Sequence, residues 1–344
     1  MGFVISQGAA QSLVDEPPQP PGDELRSEIE SIDRGALLDL VADYADEDDI
    51  LRGRLLLAAS KATGEVEIER FREAIENSIL IADFVDYRSM YEYSRGVEEV
   101  LDSVEGLLKE GYANDVIEMC EHALSCLEDA LGRVDDSDGY MGSIKERLME
   151  LHLAACKRSR LDPEDLAQRL FEWELHSEWE TFLGAARTYK SVLGKKGLAK
   201  YTSLAEKVWE KVPSVAPGDE REHSSFRFNI TYMMETLAEL SGDVDQLVDV
   251  KSKDLSVPYR YVEIAEIYNK ARRYDDALVW GERGLKDYPD TSDSRLIEVL
   301  ADEYQRRARH DEAMNLIWAS FIRSPSLNSY ERLAKHARKA GEWE

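Results

Sequence analysis

The side chains best suited to metal binding in this sequence are its six histidines, which are scattered along the chain rather than clustered. Two of them follow a glutamate by four residues, at Glu118 and His122 and at Glu172 and His176. This spacing can place a carboxylate and an imidazole on one face of a helix. Chance produces the same spacing in a helical chain with 70 acidic residues among 344. Because no His-Glu-x-x-His motif supplements these pairs, the sequence predicts no metal site and no bound cofactor.

A second candidate for chemistry is Arg147, which precedes His152 by five residues. The Arg-x4-His spacing resembles the motif of HEPN ribonucleases, and this resemblance implies an RNA-cleaving pair on one helix that works across a dimer. The leucines around His152 equally fit an amphipathic helix that half buries the histidine. This acidic part of the chain also lacks the basic side chains that guide RNA. A HEPN-like ribonuclease is therefore an alternative, and we expect a protein that is not an enzyme.

The sequence contains three cysteines, Cys120, Cys126 and Cys156, whose odd number and spacing specify neither a disulfide framework nor a zinc site. We expect buried free thiols in a reducing compartment. The chain has no secretory signal pattern and no apolar window of about 20 residues, which a membrane helix would require. These observations predict a soluble, cytoplasmic protein.

The composition favours helices and argues against a broad basic surface. Gly and Pro number only 20 and 10, and 43 Lys and Arg stand against 70 Asp and Glu, for a net charge of −27. Residues 1–150 hold 36 acidic and 13 basic residues, which accounts for −23 of this charge. Such a surface keeps an extended protein soluble and disfavours direct nucleic-acid binding. It also fits two functions, steering of a basic protein partner or imitation of DNA by an inhibitor of a nucleic-acid-binding protein.

Helix-breaking residues and apolar spacing divide the chain into four predicted regions. The proline-rich run from Pro17 to Glu24 is expected to be non-helical, because proline lacks a backbone donor and favours an extended predecessor. From residue 25 onward the apolar spacing is helical, and no segment alternates convincingly as a strand. The regions are a disordered leader at 1–24, an acidic helical region at 25–160, degenerate helical repeats at 161–256, and further repeats with a capping helix at 257–344.

An internal repeat is visible near the C-terminus. Eight positions from Tyr261 to Pro289 recur 36 residues later, from Ile297 to Pro325, and a third unit begins at Tyr330. The pattern resembles the tetratricopeptide repeat (TPR), a helix-turn-helix unit with a small residue opening helix B and a proline closing it. The resemblance implies an all-α fold, a right-handed α-solenoid of antiparallel helix pairs without a sheet. The pattern departs from the family at Gly281, which stands where helix B usually carries a large residue.

The stretch from Tyr189 to Pro213 carries a second resemblance. Its Leu-Gly-Lys-Lys-Gly-Leu core, followed by Tyr201 and Trp209, is similar to a helical region found C-terminal to the zinc module in bacterial SWIM zinc-finger proteins. The cysteine and histidine ligands of that module are absent, so the resemblance implies a helical array and neither metal nor DNA binding. We interpret the segment from Gly194 to Gly197 as a turn between two helices.

The TPR resemblance also implies a concave groove lined by the helix A positions that do not pack. Of these positions, Val262, Glu266, Glu298 and Asp302 would form the floor. The floor acids would repel an acidic peptide tail, so we do not expect the carboxylate clamp of chaperone-binding relatives. The predicted groove residues are Tyr259, Val262, Glu266, Asn269, Lys270, Arg295, Glu298, Asp302, Gln305 and Arg306.

The third repeat unit has a first helix but no second one. We predict that residues 326–340 form a solvating capping helix, docked on residues 311–323 through Leu327, Leu333 and Ala337. Its basic face could meet the acidic half of another copy in a weak, salt-sensitive self-association. The sequence as a whole predicts a non-enzymatic protein-protein interaction scaffold of TPR-like type, with the acidic DNA mimic and the HEPN-like ribonuclease as alternatives.

Overall fold

The computed structural model describes residues 21–47, 51–52, 55, 59, 68–220, 224–291 and 293–341. Within these residues the fold is all-α, as predicted, with 16 helices and no strand. The helices are α1 (Pro21–Ser31), α2 (Arg34–Glu47), α3 (Ile68–Ile79), α4 (Met90–Glu110), α5 (Ala113–Leu131), α6 (Tyr140–Arg158), α7 (Pro163–His176), α8 (Ala185–Thr188), α9 (Lys190–Trp209), α10 (Ser225–Ser241), α11 (Val244–Ser252), α12 (Tyr259–Lys270), α13 (Tyr274–Asp287), α14 (Ser294–Arg306), α15 (His310–Arg323) and α16 (Leu327–Ala340).

The first helix begins inside the predicted leader. Residues 1–20 of the leader lie outside the described residues, but α1 begins at Pro21, so the expectation of a non-helical run up to Glu24 is wrong for its last four residues. A proline at the first position of a helix lacks only an N–H group that would have no helical acceptor there. It is therefore compatible with a helix start.

Local side-chain chemistry accounts for several helix ends. Asp162 accepts the N–H of Glu164 at 2.8 Å, and Pro163 occupies the first position of α7. Ser326 and Ser329 form a reciprocal capping box at the start of α16. Three helices end on glycines in the left-handed conformation, α4 at Gly111, α10 at Gly242 and α16 at Gly341.

From α9 to α16 each helix packs on the next one in the chain, whereas α3 also packs on α5, α4 on α6 and α7 on α9. The most closely packed pairs are α7 with α9, α5 with α6 and α12 with α13. The buried apolar side chains form three clusters. The largest runs from Phe71 to Val250 and spans the predicted boundary at residue 160. The two smaller clusters lie among α11–α14 and α14–α16. Two isolated parallel bridges, Val85 with Val134 and Val215 with Asp254, tie loops together.

The two glycines of the SWIM-like stretch have different roles. Gly194 has φ 56° and ψ −161° and kinks α9, which glycine tolerates because it has no Cβ. The sequence interpretation places Gly197 in the same turn, but the structure places it inside the helix that follows the kink, facing α7. A Cβ atom on Gly197 would lie 2.5 Å from the carbonyl oxygen of Pro163 and 3.0 Å from Cδ2 of Leu193. The absence of a side chain therefore sets the distance between α7 and α9.

The two complete units of the C-terminal repeat correspond to α12 with α13 and to α14 with α15. Small residues on α13 allow close approach on both sides. A Cβ atom on Gly284 would lie 2.8 Å from Cβ of Tyr261 on α12, and one on Gly281 would lie 3.2 Å from Cδ1 of Leu300 on α14.

The last helix, α16, matches the predicted capping helix in position and differs from it in contacts. Leu333 and Ala337 are buried as expected, but Leu327 is 71% exposed, so the predicted contact through Leu327 is wrong. Leu333 is six positions after Leu327, which places the two side chains about 120° apart around the helix. Trp318 and Tyr330 are also exposed, so this end of the molecule carries apolar surface rather than a fully polar cap.

Candidate partner-binding surface

The ten predicted groove residues lie on α12 and α14, which pack against each other. Asp293 caps α14 by accepting the backbone N–H of Arg295 at 3.0 Å, and its carboxylate pairs with the Arg295 guanidinium at 2.7 Å. These hydrogen bonds from Arg295 lower the pKa of Asp293. The same guanidinium lies 4.2 Å from the centre of the Tyr259 ring. The first predicted groove residues of the two units therefore contact each other.

The other groove positions of α12 differ in exposure. Glu266 and Lys270 are exposed, and Asn269 is half-buried, with an Oδ1 atom that has no hydrogen-bond partner among the described residues. Val262 is 1% exposed and belongs to the hydrophobic core, so its assignment to the groove floor is wrong. The reason is that α11, α13 and α14 all pack on α12, which leaves this helix less free surface than the repeat pattern assumes.

The acidic side chains predicted for the floor on α14 are paired with lysines of α16. Lys335 Nζ lies 2.9 Å from the Glu298 carboxylate, and Lys339 Nζ lies 3.0 Å from that of Asp302. Partial burial acts to raise the pKa of Asp302, but the two lysines outweigh it and the pKa is lowered. These contacts correct two expectations: the floor is largely neutralised, and two lysines of the capping helix are engaged within the chain rather than free for another copy.

An open cleft of about 570 Å³ lies beside these ion pairs. It is lined by Asp302, Gln305, Arg306, His310 and Lys339. Three helices contribute to it, because His310 begins α15 and Lys339 lies in the last turn of α16. Three of the five lining residues are groove positions predicted from the repeat register.

The polar side chains of this cleft hold one another in place. Gln305 Oε1 lies 2.6 Å from His310 Nδ1, and Gln305 Nε2 donates to the backbone oxygen of His336 at 3.4 Å. The Arg306 guanidinium lies 4.1 Å from the centre of the Tyr274 ring. The walls thus offer both hydrogen-bond donors and acceptors, and no lining side chain is a hydroxyl or a thiol. Such a surface suits the backbone amides and mixed charges of a peptide.

A buried histidine lies next to the cleft. His336 is fully buried, and neither ring nitrogen has a hydrogen-bond partner among the described residues. Its Nε2 atom is 3.8 Å from Asp302 Oδ1. Burial lowers the pKa of His336 despite this carboxylate, so the ring is neutral at pH 7.

Two lining residues of the cleft are absent from the predicted groove. The repeat register contains a signal for Lys339, because the offset of 33 residues between the second and third units carries Asp302 to Lys335 and Arg306 to Lys339. The predicted groove, however, includes positions of the first two units only. His310 belongs to helix B, so no helix A pattern includes it.

The residues of the HEPN-like motif make separate internal contacts. Arg147 on α6 pairs with the carboxylates of Asp102 and Glu105 on α4. His152 is fully buried, with Nδ1 2.8 Å from the Tyr189 hydroxyl and Nε2 3.3 Å from the Glu121 carboxylate. The imidazole is therefore enclosed and hydrogen bonded on both nitrogens.

The histidines of the two glutamate-histidine pairs have different hydrogen-bond partners. His122 Nε2 lies 2.9 Å from the Glu76 carboxylate, and His176 Nδ1 lies 2.8 Å from the backbone oxygen of Glu172.

The three cysteines are buried and free, as expected. The described part of the chain contains no group of three or more His, Cys, Asp or Glu side chains placed to hold a metal ion. Nor does it contain a helix long and apolar enough to cross a membrane.

A family model described as "Family of unknown function (DUF6880)" matches residues 34–342, and the chain therefore belongs to this family. The matched region extends from the start of α2 past the end of α16, so it includes the repeat units, the cleft and the buried His152. No curated protein matches the sequence.

Proposed function

We propose that this DUF6880 protein is a non-enzymatic protein-protein interaction scaffold of TPR-like type. In this proposal its helix pairs stack as a right-handed α-solenoid, in which each pair buries its apolar face against its neighbours. The packing of each helix from α9 to α16 on the next one in the chain supports this arrangement. The partner-binding surface consists of the cleft between α14, α15 and α16 together with the exposed side chains Tyr259, Glu266 and Arg295.

One observation carries the proposal. Positions of α14 that the repeat register assigns to a groove, Asp302, Gln305 and Arg306, line an open polar cleft. The cleft volume of about 570 Å³ is within the range of ligand sites and can hold a few residues of a peptide. The half-exposed Tyr259 ring, fixed under Arg295, offers an aromatic anchor at the other end of this surface.

The charge distribution suggests how the partner is attracted. Because Glu298 and Asp302 are paired with lysines, the cleft itself does not select strongly for charge. The net charge of −23 in residues 1–150 favours approach of a basic protein. The buried thiols of Cys120, Cys126 and Cys156 are consistent with a reducing, cytoplasmic setting.

We expect Arg306→Ala to reduce capture of the partner by about fivefold or more, because it removes a long cationic side chain from the cleft wall. The substitution also removes the ion pair of Arg306 with Glu303 at 3.3 Å, but Glu303 keeps its ion pair with Arg307 at 2.7 Å, so the fold should tolerate the change. The measurement is affinity capture from lysate with the immobilised full-length protein, followed by quantitative mass spectrometry. Lys286→Ala, at an exposed lysine of α13 outside the cleft, is the matched control and should capture as much as the wild type.

Three results would argue against this proposal. A partner captured equally by the wild type and Arg306→Ala would exclude the cleft as its binding surface. A partner that duplex DNA displaces, and that Arg306→Ala does not affect, would favour the acidic DNA mimic. Cleavage of RNA that is lost in His152→Ala would favour the ribonuclease, although the buried position of His152 gives that function no support.

A further inference from the structure

A second cavity, of about 290 Å³, lies between the end of α9 and the start of α10. Its lining includes four apolar residues, Val208, Val212, Pro213 and Phe226. It also includes two basic residues, Lys211 and Arg227. An apolar pocket with a cationic wall has the chemistry to bind an anion that is attached to an apolar group.

Arg227 is the decisive residue of this pocket. It is only 6% exposed, and its guanidinium donates through Nη2 to the backbone oxygen of Pro213 at 3.0 Å. In the described part of the chain no carboxylate pairs with it. A guanidinium has five N–H donors, and the carbonyl of Pro213 uses only one of its nitrogens. The other nitrogens are not among the fully buried polar atoms of the described residues that lack a partner, so they are accessible to a ligand in the pocket. An anionic ligand would supply the missing charge and acceptors.

Two further lysines near Arg227 also lack a carboxylate partner among the described residues. Lys211 is exposed at the pocket, and Lys253 donates to the backbone oxygen of Trp209 at 2.6 Å while lying 4.3 Å from the centre of its ring. Burial and then the charge of Arg227 lower the pKa of Lys253, against a smaller raising effect of the Glu210 carboxylate. This is a local excess of positive charge in a protein whose net charge is −27.

The start of α10 adds backbone donors to the same wall. The Ser224 hydroxyl accepts the N–H of Arg227 at 3.2 Å. The N–H groups of Ser225 and Phe226, in the first turn of this 17-residue helix, have no acceptor within the described residues. Free N–H groups at the positive end of a helix dipole favour a carboxylate.

We propose that this pocket binds the C-terminal carboxylate of a partner polypeptide whose last residue is apolar. The carboxylate meets Arg227 and the first turn of α10, and the terminal side chain packs against Val208, Val212 and Phe226. The cavity volume is near the lower limit of ligand sites, which fits one terminal residue better than a long acyl chain. The pocket shares no residue with the cleft between α14, α15 and α16. An experiment that rules out binding at one of the two sites therefore leaves the proposal for the other site unaffected.

The test is isothermal titration calorimetry of the full-length protein with two synthetic hexapeptides of identical sequence ending in leucine. One has a free C-terminal carboxylate and the other a C-terminal amide. We expect the free acid to bind at least about tenfold more tightly than the amide, because the amide removes the charge that Arg227 recognises. Arg227→Gln should weaken binding of the free acid by about tenfold or more, while Arg227→Lys retains part of it.

Matched variants separate binding from folding. Gln at position 227 can still donate to Pro213, and circular dichroism at several temperatures checks the fold. Lys211→Gln changes an exposed residue and should weaken binding of the free acid by about threefold, whereas Lys286→Gln on α13 should leave it unchanged. Equal binding of the two peptides, no binding of either, or binding of decanoate without binding of the free-acid peptide would each overturn the proposal.

Discussion

Replacing Gly197 by alanine is expected to lower the free energy of unfolding by about 3 kcal/mol, at the upper end of the cost of overpacking. The new Cβ atom would lie 2.5 Å from the carbonyl oxygen of Pro163, and backbone atoms cannot move aside as a flexible side chain can. The collision forces α7 and α9 apart, and these two helices form one of the most closely packed pairs in the molecule. Urea unfolding followed by circular dichroism measures the change.

The control for this substitution is Gly142→Ala in α6. A Cβ atom there has no neighbour within 4 Å, and the position is helical, so alanine should stabilise the protein by about 0.5–1 kcal/mol. If Gly197→Ala increased stability as Gly142→Ala is expected to do, helix propensity rather than contact between α7 and α9 would determine the effect. If Gly197→Ala proved neutral, the close approach of the two helices would be wrong.

The two glycines of α9, Gly194 and Gly197, show what the sequence could predict and what it could not. The helical spacing of apolar residues and the breaks between helices are local properties, and they predicted an all-α fold and the approximate helix positions. Gly194 and Gly197 look alike in the sequence, yet the first kinks the chain and the second admits a neighbouring helix. Only the position of Pro163, 34 residues earlier, distinguishes them, and no local pattern contains that contact.

The candidate partner-binding surface likewise combines local features that the sequence predicts with contacts between helices that it does not predict. The repeat register placed Asp302, Gln305 and Arg306 on one face of a helix, because it depends on the spacing within that helix, and all three line the cleft. That the cleft binds a partner stays a prediction. It failed at Val262, where burial depends on how many other helices pack on α12. It also could not predict that lysines of α16 neutralise Glu298 and Asp302, since that pairing depends on how adjacent units stack.

Glu174 is a buried acidic residue that no sequence pattern singles out. It lies on α7 and is 1% exposed, and its carboxylate accepts the N–H of Gly184 at 2.7 Å, the N–H of Ala185 at 3.1 Å and the hydroxyl of Tyr201. It therefore fixes the start of α8 and one side of α9 to α7. Burial raises the pKa of Glu174 to about 7, although the three hydrogen bonds act to lower it.

This pKa predicts a loss of stability as the pH rises from about 4.5 to 7. In that interval the folded protein retains a proton on Glu174 that the unfolded chain, with a glutamate pKa near 4.5, releases. The unfolded state binds fewer protons, so the free energy of unfolding falls with increasing pH and levels off above about pH 7. The contribution of this one group amounts to about 3 kcal/mol over the interval.

The measurement compares the wild type with Glu174→Gln in urea unfolding at pH 4.5, 5.5, 6.5 and 7.5. Glutamine does not titrate, so subtracting its unfolding free energy from that of the wild type removes the contributions of the other carboxylates. We expect the difference between the two proteins to shift by about 3 kcal/mol against the wild type between pH 4.5 and 7.5. Glu172→Gln, at an exposed position of the same helix, should differ from the wild type by a nearly constant amount. A constant difference for Glu174→Gln as well would mean that Glu174 ionises normally, and that its hydrogen bonds to Gly184, Ala185 and Tyr201 balance the cost of burial.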